Sequence, residues 1–207
     1  MVTEIRIYVE GGGDDKLSWR TVRAGLGEFL DPLRQLARTR RVPWSIIPCG
    51  ARHETYKEFM IGSRRNPDAF NVLLVDSERP VLLPRREHLR QQDGWDLFSL
   101  SDDQVHLMVQ TVEAWLIADP EALARYYGQN FRGNVLPGPI DVETIPKEQL
   151  LEKLKRATEK TQKGPYAKIR HCADLLCRLN RDRVRERAGH CDLLFRTLEA
   201  RIGGSSG

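Results

Sequence analysis

The chain has 207 residues, 40% hydrophobic and 30% charged, a balance that suits one globular domain with a sizeable core. No apolar run approaches the roughly 20 residues that cross a bilayer, and no basic-then-apolar leader opens the chain, so the expectation is a cytoplasmic protein without membrane contact. The net charge of +4 is uneven: residues 153–187 hold 12 Lys/Arg against four Asp/Glu, which fits either a polyanion-binding surface or a solvated helical face.

The β-rich segment Ile5-Arg6-Ile7-Tyr8-Val9 runs into Glu10-Gly11-Gly12-Gly13. From Asp14 and Asp15 onward, Leu17, Val22, Leu26, Phe29, Leu30, Leu33 and Leu36 recur at helical spacing and predict one long helix. A short strand at Trp44–Ile47 and a helix over 53–63 follow. Asn71–Asp76 is a continuous apolar run ending in an acid, the pattern of a strand buried on both faces of a parallel sheet. Residues 79–103 read as a loop with one short helix, Val105–Val109 as a strand, and 111–127 as a helix divided at Asp119-Pro120.

Strand–helix–strand–helix–strand predicts an α/β fold with a mostly parallel, Rossmann-like sheet flanked by helices. The expected organisation is an α/β domain over 1–127, an irregular connection over 128–146, and a basic helical C-terminal region over 147–202 packed on the same domain. Within that region helices are expected at 147–160, 166–180 and 190–201, and the Gly/Ser run at 203–207 reads as a flexible tail. The four cysteines form no Cys-x-x-Cys pair and read as reduced thiols. His171-Cys172 and His190-Cys191 lack the usual zinc spacing, which favours ordinary helical positions.

Ligands of open parallel sheets bind at the carboxyl ends of the strands. Glu10 and Asp76-Ser77-Glu78 stand at two such ends, and i, i+2 geometry would turn Asp76 and Glu78 to one side. Clustered carboxylates repel unless a cation keeps them ionised, and hard oxygen ligands favour Mg²⁺ or Mn²⁺. N-caps and turn acids after strands are the alternative. The glycine run leads to a helix N-terminus that would attract phosphate, but it matches neither a Walker loop nor a dinucleotide fingerprint.

Val9-Glu10-Gly11-x-x-Asp14-x-Lys16, followed by a hydrophobic strand ending Asp76-x-Glu78, resembles the Toprim domain of topoisomerases, bacterial primases and overcoming-lysogenization-defect (OLD) nucleases. The family's usual second acid is Asp, where this chain has Glu78. The stretch from His106 to Pro120 and the basic stretch from Lys160 to Ile169 are similar to small Toprim-like proteins encoded beside ATPases in bacterial mobile-element and phage-defence loci.

The resemblance implies a Mg²⁺- or Mn²⁺-dependent nuclease acting on DNA or RNA, with a partner ATPase that it would serve as effector and with homo-oligomerisation open. Glu10 would be general acid/base or a metal ligand, and Asp76 and Glu78 would hold the metal. Glu113 adds a further candidate acid, one helical turn from Gln110 and near His106, or else it caps an amphipathic helix whose Trp115 is core. Lys16, Lys160, Lys163, Lys168 and Arg170 are candidates for nucleic-acid backbone contacts, with Tyr166 placed to stack on a base. The competing readings are a catalytically inactive Toprim-like module that docks on an ATPase or nucleic acid, and a phosphohydrolase of nucleotides.

Overall fold

The apolar run at 70–76 is buried along its whole length because it lies inside a parallel sheet with helices on both sides. The computed structural model describes residues 2–11, 16–138 and 141–204, with Lys16 described by its backbone alone. The first half comprises β1 (Ile5–Val9), α1 (Lys16–Phe29), α2 (Asp31–Thr39), β2 (Trp44–Pro48), α3 (Arg52–Arg65), β3 (Phe70–Asp76), α4 (Arg85–Asp93) and β4 (Val105–Met108). After these come α5 (Val112–Ala118), α6 (Pro120–Tyr127), α7 (Lys147–Thr158), α8 (Lys168–Leu176), α9 (Arg181–Arg187) and α10 (Gly189–Gly203).

The four strands pair in parallel in the order β2-β1-β3-β4. The chain leaves β1 toward β2 on one side, then crosses to β3 on the other. That reversal makes the gap between β1 and β3 the switch point of the sheet, where open α/β sheets bind ligands at their carboxyl ends.

Alternation along each strand feeds two separate apolar clusters. Ile5, Ile7, Val9, Val72 and Leu74 face the larger one, which takes Leu26 and Phe29 of α1, Trp115 of α5, and Leu154, Leu175, Leu194 and Phe195 of the C-terminal helices. Tyr8, Leu73, Val75 and Leu107 face the smaller, completed by Phe59 of α3, Leu89 of α4 and Trp95. The fold is therefore α/β with a parallel sheet covered on both faces, and the larger cluster extends without interruption into the helices beyond residue 147. Among the described residues no helix is long and apolar enough to cross a membrane.

Three expectations need correction. The single long helix at 14–36 is two helices, because Pro32 cannot donate to the carbonyl one turn back; α2 restarts with Pro in its first turn. The helix expected at 166–180 begins only at Lys168, and Tyr166 before it is buried at 2% exposure rather than available to a base. The separate helix α9 was not anticipated; Asn180 caps it, accepting from the backbone N–H groups of Asp182 and Arg183.

Helices α1 and α8 cross where Gly25 meets Ala173. A Cβ on Gly25 would lie 2.5 Å from the Ala173 carbonyl oxygen, a backbone atom that cannot rotate away. Gly25→Ala is therefore expected to lower unfolding free energy by about 1–2 kcal/mol, overpacking outweighing the gain in helix propensity. An unchanged midpoint in chemical denaturation would show that the two helices separate freely.

Candidate metal centre at the sheet switch point

β1 and β3 are direct neighbours, and the ladder continues past β1, since the Glu10 N–H donates to the Leu74 carbonyl at 3.2 Å. The Glu10 and Asp76 side chains thus leave adjacent strand ends. Each of Glu10, Asp76 and Glu78 offers a carboxylate oxygen, and the three oxygens lie within 4.8 Å of one another. Oxygens on opposite sides of a Mg²⁺ stand roughly 4.2 Å apart, so rotamer shifts of a few tenths of an ångström close the set around one ion. Among the described residues this is the one such acidic group, and it can hold a metal ion.

Glu78 arrives by a route other than the extended i, i+2 geometry expected. β3 ends at Asp76, and Glu78 has φ +66°, a left-handed conformation that costs a non-glycine residue about 1 kcal/mol or more. Backbone bonds from Ser77 N–H to the Met108 carbonyl (3.0 Å) and from Glu78 N–H to the Gln110 carbonyl (2.8 Å) hold that turn against the end of β4.

Asp76 is 3% exposed. Its Oδ1 accepts from the Val112 N–H at 2.9 Å, in the first turn of α5, and its Oδ2 accepts from Lys168 Nζ at 2.8 Å and Thr111 Oγ1 at 3.3 Å. Glu113, also buried, accepts from Thr111 Oγ1 and from the Tyr166 hydroxyl at 2.9 Å, and lies 3.8 Å from Lys168 Nζ. It adjoins the cluster through Lys168 rather than joining the set of three. The expected helical pairing of Gln110 with Glu113 does not occur, because α5 starts at Val112. His106 turns elsewhere: its Nε2 meets the Asp103 carbonyl at 2.9 Å, and burial with nearby Arg85 depresses its pKa to about 4.

Two basic residues that the sequence reading overlooked complete the site. Arg52, at the start of α3, is held by a two-point pair with Asp93 (2.8 Å each) and by the Trp95 ring 5.1 Å away; its remaining nitrogen reaches Glu10 Oε2 at 3.1 Å and the Asp76 carbonyl. Lys147, at the start of α7, pairs with Glu78. The signal for Arg52 was its place just past Gly50 and Ala51 after β2, at the same edge of the sheet as the acids.

The charges do not balance. Glu10, Asp76, Glu78, Asp93 and Glu113 share Arg52, Lys147 and Lys168, which leaves a formal −2 when every acid is ionised. Burial, then repulsion from Asp76, raises the Glu10 pKa to about 7 against the pull of Arg52 and Lys168. Burial likewise raises Asp76 despite Lys168. On Lys168 burial acts downward, but Asp76 and Glu113 outweigh it and keep the ammonium firmly charged. A divalent cation would cancel the residual charge, so the donor set fits the group it is asked to hold.

The five candidate nucleic-acid contacts separate. Lys168 lies inside the acid site, and Arg170 lines a cleft beside it. Lys163 sits 4.9 Å over the Tyr126 ring, and neither it nor Lys160 lines that cleft. The Lys16 side chain and residues 12–15, with the rest of the glycine run, lie outside the described residues. His171 Nδ1 engages Tyr127 and the Ala167 N–H, and His190 Nδ1 engages Glu143 at 2.7 Å.

A family described as a domain of unknown function (DUF4276) matches residues 9–199. No curated protein and no solved structure matches the chain.

Proposed function

Since the chain belongs to the DUF4276 family, whose description assigns no activity, its chemistry has to be read from the site, and we propose that it is a Mg²⁺- or Mn²⁺-dependent nuclease of the Toprim type. The observation that carries this reading is the convergence of Glu10, Asp76 and Glu78 within 4.8 Å at the switch point of a parallel sheet. A bound Mg²⁺ supplies charge neutralisation on the phosphoryl group and a more acidic water.

The protein's own groups do the rest. Asp76 and Glu78 would hold the ion together with Glu10, the Val112 N–H fixing the Asp76 carboxylate and Lys147 steadying Glu78. Glu10, oriented by Arg52, stands beside the ion's other ligands, where a carboxylate can also accept a proton from a water. Lys168 is placed to turn from Asp76 toward an incoming phosphate and counter the charge that develops there. The resemblance adds a partner ATPase in a defence locus, which co-purification from the native host tests.

A second reading has an observation of its own: Glu10, Asp76 and Glu78 each already carry a basic partner, as suits a catalytically inactive binding module. End-labelled single- and double-stranded DNA and RNA, incubated with Mg²⁺, Mn²⁺ or EDTA, separate the two. Cutting that needs the metal supports the nuclease. Intact substrate under every metal, with nucleic acid still bound, leaves the binding module.

A further inference from the structure

A cleft of about 700 Å³ opens beside the carboxylates, between α1 and α8. Glu10, Asp76 and Lys168 line it together with Arg170 and Asp174, and Leu26, Met108, Val112 and Leu176 give it apolar walls. Its volume falls in the range that encloses small ligands, and charged groups interrupt its apolar lining. Few large apolar side chains are exposed among the described residues, and two of them, Leu17 (72% exposed) on α1 and Ile169 (87%) on α8, line this one cleft. Lys168 and Arg170 flank Ile169, so an aliphatic surface sits between two cations. The close Gly25–Ala173 crossing sets the spacing of the two helices.

We propose that this cleft is the subsite for one unstacked nucleoside, whose base is gripped between Leu17 and Ile169 while its phosphate reaches Asp76. The proposal rests on the reading of the carboxylates as the phosphate-cleaving centre, and it assigns the substrate class: single-stranded or terminal nucleotides rather than paired duplex. A base has two apolar faces and a phosphate one bond system away, matching aliphatic lips beside cationic and metal-binding groups. A duplex keeps its bases stacked and offers none to the lips of the cleft, whereas a single strand or a free terminus does. Arg170 is placed for the neighbouring phosphate of a polymer.

The test is fluorescence anisotropy with Ca²⁺ replacing Mg²⁺, using a labelled single-stranded oligonucleotide, a blunt duplex of the same sequence and a labelled nucleoside monophosphate. The single strand is expected to bind at least tenfold tighter than the duplex. Leu17→Ser and Ile169→Ser, both exposed and neutral, are each expected to weaken it about tenfold by removing the apolar grip. Mn²⁺ affinity measured by calorimetry is expected to stay the same in both variants. A monophosphate that binds as tightly as the oligonucleotide identifies free nucleotides as the occupant; a tighter oligonucleotide identifies the polymer. Equal binding of single strand and duplex, absence of binding, or unchanged affinity in both variants overturns the subsite. Binding that follows these expectations without any cutting upholds the subsite and counts against the nuclease instead.

Discussion

Asp76→Asn is expected to lower Mn²⁺ affinity by roughly a hundredfold and cutting by about a thousandfold, while the fold survives. The magnitude follows from exchanging an anionic ligand for a neutral one at the most central of the three carboxylates, where several kcal/mol of charge stabilisation is at stake and each 1.36 kcal/mol is tenfold in rate. The fold survives because the Asn carbonyl can still accept from the Val112 N–H, which fixes the first turn of α5. Lys168 loses its 2.8 Å partner but retains Glu113, now 3.8 Å away. The charge removed was itself held at a cost, since burial raises the Asp76 pKa, so the change in apo stability is expected to stay within about 1 kcal/mol. Isothermal titration with Mn²⁺, a cleavage time course and a thermal melt check the three parts. Cutting at the wild-type rate would remove Asp76 from the chemistry. Glu78→Gln should do less than Asp76→Asn, because Glu78 is 27% exposed and reaches the cluster from outside the sheet.

How much of this was legible in the sequence differs by residue. Asp76 was legible because a short unbroken apolar run suggests an interior strand, and an acid at the end of such a strand stands where parallel sheets bind ligands. Glu10 followed by the same logic, although its adjacency to Asp76 depended on a strand order that no local pattern encodes. Convergence of Glu78 was anticipated for the wrong reason: a left-handed turn held by Met108 at the end of β4 and by Gln110 beyond it does what an extended segment was expected to do. Lys168 was read as one of five candidate contacts to a nucleic-acid backbone, and only the packing of α8 against α1 and α5 carries it to Asp76. Arg52 was missed because its role is made by Asp93, 41 residues away, and by Trp95, pairings visible only after α3 and α4 have packed on the same face.

Glu10→Gln is expected to stabilise the metal-free protein strongly at pH 8 and by less than about 1 kcal/mol at pH 5. In the fold, burial and Asp76 raise the Glu10 pKa from 4.5 to about 7. An acid raised in this way contributes stability that is complete below pH 4.5 and is lost as pH climbs through 7, at about 1.4 kcal/mol per unit. Gln imitates the protonated form at every pH, so its advantage over wild type grows to about 3 kcal/mol at pH 8, roughly 6–12 °C in Tm for a chain of this size. The difference between the proteins is the proper readout, because His106 works against Glu10 in the wild-type curve. Its pKa falls from 6.5 to about 4, so its contribution is present above pH 6.5 and is lost on acidification. Subtracting the variant removes that opposing slope, and Arg52 stays anchored by Asp93 in both proteins. Mn²⁺ should then invert the ranking at pH 8: the wild type gains stability with ion concentration, while Glu10→Gln, short of one anionic ligand, gains much less. Melting curves of both proteins at pH 5 and 8, with and without Mn²⁺, contain the whole test. If Mn²⁺ raises both Tm values equally, Glu10 lies outside the metal set and the centre reduces to Asp76 and Glu78.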